Sequence, residues 1–254
     1  TGEFADFRHP TLVNGRRFLL YPSMSLPLSN AYAFLTPKVG YHMTRYDLTD
    51  NAGALEGGSR NVPIVSLDSG LTYERALRFD GGPVTQTLEP RLFFLYVPFR
   101  DQSKLPRFTT SETDFSFAQI FNENLFIGGD RISDAKQLTA AVTTRFIEDA
   151  TGIERLRAAI GQRYYFRPQQ VTLSDTALGI SGNRSGNLSR SDLLAAVSGQ
   201  LSDGWFLDSG LQYSTTDTQV KKANIAARYQ GLDAKLFNFS YRFIEDRRTQ
   251  CPKA

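Results

Sequence analysis

The sequence predicts an all-β chain, an antiparallel transmembrane β-barrel of about ten strands with long loops on one rim. Three observations predict it. Apolar residues recur at every second position, not at the three- and four-residue spacing of a helix. Connections alternate between tight Gly/Asp turns and long irregular segments. Several strands carry arginines on the face opposite their apolar residues. Unpaired charge is costly in a dry core and tolerable in a water-filled lumen.

The alternation is cleanest toward the C-terminus. In DAKLFNFSYRF, Phe237, Phe239, Tyr241 and Phe243 share one face, and Asn238, Ser240 and Arg242 the other. In VKKANIAARYQ, Ala223, Ile225, Ala227 and Tyr229 oppose Lys222, Asn224, Ala226 and Arg228, and GWFLDSGLQYS follows the same rule. IERLRAAIGQRYYFR sets Leu156, Ala158, Ile160 and Tyr164 against Arg155, Arg157 and Arg163, so these three arginines are expected to face the lumen. KQLTAAVTTRF behaves alike, and further strands are expected near 16–27, 31–46, 62–79, 84–97 and 190–202. Many reach the roughly 9–11 residues that cross a bilayer at a tilt. SDG at 202–204, QGLD at 230–233 and DATG at 149–152 read as tight turns. The segments 48–61, 98–135 and 169–187 read as long loops. Short turns on one rim and long loops on the other are the habit of outer-membrane barrels.

Composition narrows the function classes. Hydrophobic residues make up 41% and charged residues 22% of 254, with no apolar run long enough for a spanning helix. Aromatic content is high for so polar a chain, with 19 Phe, 11 Tyr and 1 Trp. Net charge is +3 and basic residues are dispersed, so no nucleic acid is expected as a partner. The chain begins at Thr1 with no visible signal peptide, which reads as processing or cropping and says nothing of location. The single Cys251 excludes an intrachain disulfide.

No enzyme activity and no cofactor are expected. His9 and His42 are too few for a metal site. The acid pairs Glu112/Asp114 and Asp130/Asp134 lack a neighbouring nucleophile pattern. GISGNRSG at 179–186 lacks P-loop spacing and reads as a loop, and the Asn183 sequon as chance.

One stretch poses a question of its own. LEPRLFFLYVPFRDQ, 88–102, is the most aromatic strand, yet it holds Glu89 and Arg91 and ends in Pro98, Arg100 and Asp101. It opens a run of motifs: QTLEPR, LYVPFRDQS, DFSFAQIF, GGDRISDAKQLT and RAAIGQRYYF. In content, order and spacing this run closely resembles the C-terminal barrel of the LptD (Imp/OstA) family of lipopolysaccharide-assembly proteins in Gram-negative outer membranes. YPSMSLPLSNAYAFLTPKVGYHMTRYDL is similar to a strand pair just upstream in that family.

The resemblance implies an outer-membrane barrel that inserts lipopolysaccharide into the outer leaflet amid membrane lipids. It implies an LptE-like plug lipoprotein inside the barrel, and an LptA-like periplasmic bridge reached through an N-terminal domain that nothing here resembles. It also implies that segment 98–135 folds inward to meet the plug, with Arg100, Asp101, Gln102, Asp130 and Arg131 as its contacts. Glu89, Arg91, Asn238 and Arg242 would join the three strand arginines in facing the lumen. Pro98 would end strand pairing, having no N–H. Arg100 and Asp101 would anchor the loop.

The chain departs from the family pattern at its ends. Neither the first nor the last barrel strand is evident, and Cys251 matches neither cysteine position of the family. The reading is therefore a partial barrel domain over 1–244 and a non-matching tail over 245–254, an internal piece or the product of a truncated or frameshifted gene, not expected to act alone. Two other functions compete: a passive porin-like channel, and a soluble β-domain that binds carbohydrate through its aromatics.

Overall fold

The computed structural model describes residues 1–11, 13–50, 55, 57–79, 82–173, 189–231 and 235–245. The loop 179–186, its Asn183 sequon, Cys251 and all but the first residue of the tail lie outside the described residues.

The chain is an up-and-down antiparallel meander. Its strands are β1 (Gly2–Phe7), β2 (Asn14–Leu20), β3 (Ser23–Ser25), β4 (Leu28–Ser29), β5 (Ala33–Asp50), β6 (Gly58–Leu71), β7 (Tyr73–Phe79) and β8 (Gly82–Val97). There follow β9 (Ser111–Glu112), β10 (Phe126–Ile127), β11 (Ala135–Glu148), β12 (Glu154–Tyr165), β13 (Leu193–Ser202), β14 (Trp205–Ser214), β15 (Gln219–Gln230) and β16 (Leu236–Ile244). One sheet of 14 strands runs β1-β2-β5-β6-β8-β11-β12-β13-β14-β15-β16, with β3 and β4 continuing β2 along β5, and β7 flanking β8. β1 and β16 are its two edges, so the sheet is an open arc of barrel wall.

The expected strand 62–79 is two strands in one register. Val65 faces Tyr96, Gly70 faces Arg91, Tyr73 faces Leu88 and Phe79 faces Gly82. The ladder breaks where Pro90 stands opposite, because proline offers no N–H. β1 was not anticipated, since GEFADF is short and alternates poorly.

The connections segregate by rim. The turn rim holds 30–32, 80–81, 149–153, 203–204 and 231–235; the loop rim holds 8–13, 51–57, 98–134, 166–192 and 215–218. Only 215–218 departs from the expected contrast of short and long.

The two faces differ in chemistry. A row of directly paired residues on the outer face reads Pro90, Val142, Ile160, Ala195, Leu211, Ala223, Phe243 from β8 to β16. Leu88, Leu92, Tyr96, Phe237, Phe239 and Tyr241 share that face and are largely exposed. Facing residues of an antiparallel pair lie on the same side, so the belt is continuous. The opposite face carries Arg17, Thr44, Arg60, Thr139, Arg163 and Gln212, all buried.

What buries them is segment 98–134, folded across that face. It includes a short antiparallel pair, β9 with β10, and one 3-10 turn (Phe117–Gln119). Beneath it lies an apolar cluster of Val62, Ile64, Phe93, Leu95, Val97 and Ile132. This explains why LFFLYV fails to alternate: Leu92, Phe94 and Tyr96 point outward, while Phe93, Leu95 and Val97 lie under the loop. The sheet curves around the segment. Thr109 is reached from β2 by Arg17, and Asp114 from β15 by Lys222. Those strands are eight spacings apart, about 38 Å on a flat sheet, whereas five residues extend about 18 Å at most. Side chains leave a sheet nearly perpendicular to it, so the strands must bend toward one another.

Candidate functional site

The folded segment is held by a clamp around Gly128–Ile132. The Asp130 carboxylate is fully buried and accepts from the backbone N–H groups of Phe108 (2.9 Å) and Thr109 (2.8 Å), from the Thr110 hydroxyl (3.0 Å) and from the Tyr46 hydroxyl (3.3 Å). Arg17 of β2 forms an ion pair with it. Arg17 also donates to the Gly128 carbonyl (2.6 Å) and pairs with Glu3 at 2.5 Å. Arg60 of β6 donates to the carbonyls of Asp130 (2.6 Å) and Gly129 (2.9 Å), and to the Gln102 amide oxygen (2.8 Å). Gln102 closes the ring, accepting from Ile132 N–H and donating to Ile132 C=O.

The two glycines have a specific reason to be there. Gly128 and Gly129 have φ of 91° and 77°, where L side chains are strained. A Cβ on Gly128 would sit 2.0 Å from the Thr109 carbonyl oxygen. The bend lets consecutive carbonyls turn toward Arg17 and Arg60.

The flanks of the clamp are tied as thoroughly. Asn124 donates to the carbonyls of Phe126 and Arg131 and accepts from Ser133 N–H. Arg131 donates to the carbonyls of Leu105 and Pro106. Glu123 receives Tyr21, Lys38 and Ser66. At the other end, Arg163 and Thr139 both donate to the Ile120 carbonyl.

Toward the turn rim the same face is open and charged. A chamber of about 570 Å³ is walled by Phe117 and Phe121 above and by Glu89, Arg91, Arg145 and Arg157. Arg91 forks onto Asp68 (2.9 and 2.6 Å) and stacks on Phe121, 4.0 Å from its ring centre. Arg145 lies between Glu89 (3.1 Å) and Glu154 (3.5 Å), and Glu154 also holds Arg157 (2.8 Å). The charges inside the aromatic strand 88–102 are thus partners on the loop-bearing face.

The sequence-derived residues fall into three groups. Gln102, Asp130 and Arg131 are buried within the clamp, so they shape the segment rather than its surface. Glu89, Arg91, Arg157 and Arg163 share the loop-bearing face. Asn238 and Arg242 do as well, paired with Arg228 and Asn224 of β15. The remaining three are corrections. Arg100 and Asp101 were expected to anchor the inward segment, but both stand exposed at the rim. Among the described residues Arg100 reaches the Phe99 carbonyl, and Asp101 accepts from the Ser103 N–H, which holds its carboxyl below the usual carboxylate range. The physical reason is that Pro98 ends β8 at the rim, and the chain turns inward only from Gln102. Arg155 was expected beside Arg157. A register shift sets Ile147 against Glu154, inserting one residue into β12. Glu154 thereby takes the inner position, and Arg155 turns outward to Glu148 (2.7 Å).

Sequence reasoning missed Arg17, Tyr46 and Arg60, the strand residues that receive the clamp. The Arg16-Arg17 pair reads from sequence as a solvated strand or loop end, and nothing local ties these residues to a motif about 70–110 positions away.

The model of one protein family, LPS transport system D, matches residues 1–252. The chain belongs to that family. A Thiobacillus denitrificans LPS-assembly protein LptD is 49% identical over 96% of this chain, and an Azoarcus sp. protein of the same name is 47% identical over 95%. The LptD of Neisseria meningitidis serogroup B is 40% identical over 96%. The chain spans about a third of the length of these LptD relatives, 32%, 29% and 30%. No helix among the described residues is long and apolar enough to cross a membrane, which says nothing of crossing by strands.

Proposed function

We propose that this chain forms part of the wall of an outer-membrane LptD barrel that delivers lipopolysaccharide to the outer leaflet. The observation that carries the reading is the pairing of opposite faces. A continuous exposed apolar belt covers one side of the arc, and the other side is polar and overlaid by the GGDRIS segment. Strands of 9–18 residues are long enough to cross a bilayer. The belt suits acyl chains. The charged, partly open face suits sugars and phosphates in water. No covalent step is required, and the chain's part is to offer a polar path beside an apolar exterior.

The partners follow from the same reading. An LptE-like plug would meet the inward segment on its exposed surface, where Arg100 and Asp101 stand, while Gln102, Asp130 and Arg131 keep that surface in shape. An LptA-like bridge would act through the part of the protein upstream of this chain. The porin-like alternative is disfavoured by a segment that reaches from β2 to β15 across the polar face.

The test uses the full-length protein in a strain whose own copy can be shut off. Depletion should stop newly made lipopolysaccharide from reaching the surface, as read by antibody to its sugars on intact cells, and re-expression should restore it. Unchanged surface delivery, together with solute-selective conductance of the purified protein in planar bilayers, would replace the proposal with the porin reading.

A further inference from the structure

The outward turn of Arg155 creates a feature the delivery path does not use. On the outer face, at the turn rim, lies a groove of about 650 Å³ lined by Val84, Phe146, Leu156 and Leu201, with Glu148, Arg155 and Asp203 at its end. Its cause is local. The registered pairing of β12 with β13 ends at Arg157 opposite Ser198, although the backbones stay close at Gly199, where a Cβ would sit 2.2 Å from the Arg155 carbonyl oxygen. The β12 bulge then throws Arg155 to the outside.

The charges at the groove's end are unequal. Arg155 gives both Nε and one terminal nitrogen to Glu148 Oε2, at 3.0 and 2.7 Å, and Thr151 donates to that same oxygen. None of these bonds reaches Glu148 Oε1. Asp203 is almost wholly exposed and lies 3.6 Å from Arg155 Nη1, beyond a full hydrogen bond. One guanidinium thus faces two carboxylates, leaving a net charge of −1 at the mouth of an apolar groove. If the outer face meets lipid, as the proposed function has it, the turn rim lies at headgroup level of the periplasmic leaflet.

We infer that this groove is a docking site for a phospholipid whose headgroup carries a free ammonium, phosphatidylethanolamine being the probe of choice. The ammonium donates to Glu148 Oε1 and the Asp203 carboxylate. The lipid phosphate accepts from Arg155 Nη1, and an acyl chain lies along Leu156, Phe146 and Leu201. An anionic headgroup without an amine, such as phosphatidylglycerol, would bring a second negative charge to a site already at −1. A headgroup that loses one charge-assisted hydrogen bond should bind about tenfold more weakly. The site would seat a lipid against the outer wall at the turn-rim ends of β12 and β13.

The experiment is photo-crosslinking of the full-length protein in vesicles doped with diazirine-tailed phosphatidylethanolamine or, in parallel, diazirine-tailed phosphatidylglycerol. Labelled peptides are mapped by mass spectrometry. Labelling at 154–157 and 199–202 should favour the ethanolamine lipid by about tenfold. Labelling at 237–243, on the same face but remote in the sheet, should show no preference. Glu148→Gln with Asp203→Asn should abolish the preference and leave labelling at 237–243 unchanged. Equal labelling by both lipids at the groove, or a preference that survives the double substitution, would overturn the site while leaving the outward face intact. No labelling at 237–243 by either lipid would instead overturn the outward-face reading on which the site rests.

Discussion

Asp130 is the residue on which the inward segment depends, and Asp130→Ala is the perturbation that tests this. The carboxylate is fully buried, receives two backbone N–H groups and two hydroxyls, and pairs with Arg17, itself 3% exposed. Removing one member of a buried pair costs roughly 3–5 kcal/mol. Each backbone N–H left without an acceptor adds about 1–3 kcal/mol. Arg17 keeps Glu3 and the Gly128 carbonyl, which offsets part of the loss. A net cost of about 4 kcal/mol or more is expected, equivalent to a thousandfold shift. The strands are held by their own ladders, so the cost should fall on local opening of 98–134 rather than on global unfolding. Asp101→Ala is the internal control: its exposed carboxylate accepts from the neighbouring Ser103 at the rim, and about 0–1 kcal/mol is expected. Limited trypsin digestion of the folded full-length protein reads the difference through cleavage after the exposed Lys104 and Arg107. Cleavage should accelerate by orders of magnitude in Asp130→Ala and stay near wild type in Asp101→Ala. Equal cleavage in the two variants, or none in either, would refute the clamp.

Three further outcomes follow from the same geometry. Gly128→Ala puts a Cβ 2.0 Å from the Thr109 carbonyl at φ 91° and should expose the segment to trypsin as Asp130→Ala does, whereas Gly152→Ala, with nothing within 4 Å, should cost only about 1–2 kcal/mol. Phe239→Arg should cost roughly 2–4 kcal/mol near the bilayer midplane, measured by urea titration of the lipid-folded protein, and spin labels at 238 and 239 should show opposite access to water-soluble and lipid-soluble quenchers; equal access would remove the face assignment. Gln102→Ala removes the acceptor for Arg60 and Ile132 N–H and should cost about 1–3 kcal/mol, so its trypsin cleavage should fall between that of Asp101→Ala and Asp130→Ala.

The sequence by itself determined most of the long strands, their faces and their rims, because these are written locally; the short, poorly alternating β1 and the bulged start of β12 escaped it. Alternation of period two assigns Phe237, Phe239, Tyr241 and Phe243 to one side whatever the strand pairs with, and SDG or DATG can only be turns. It also marked GGDRISD as unusual, but not why. Tertiary structure alone decided which charges are buried. Arg17 meets Asp130 across 113 positions, a distance over which no sequence pattern specifies a partner. Arg100 and Asp101, with the same residue types as the clamp, stay at the rim because the chain has not yet turned inward. The face of Phe93, Leu95 and Val97, legible only as one side of a strand, became a dry core because a loop from the same chain lies on it. One inserted residue at the β11–β12 bulge reversed Arg155, since in a strand a shift of one position exchanges the two faces.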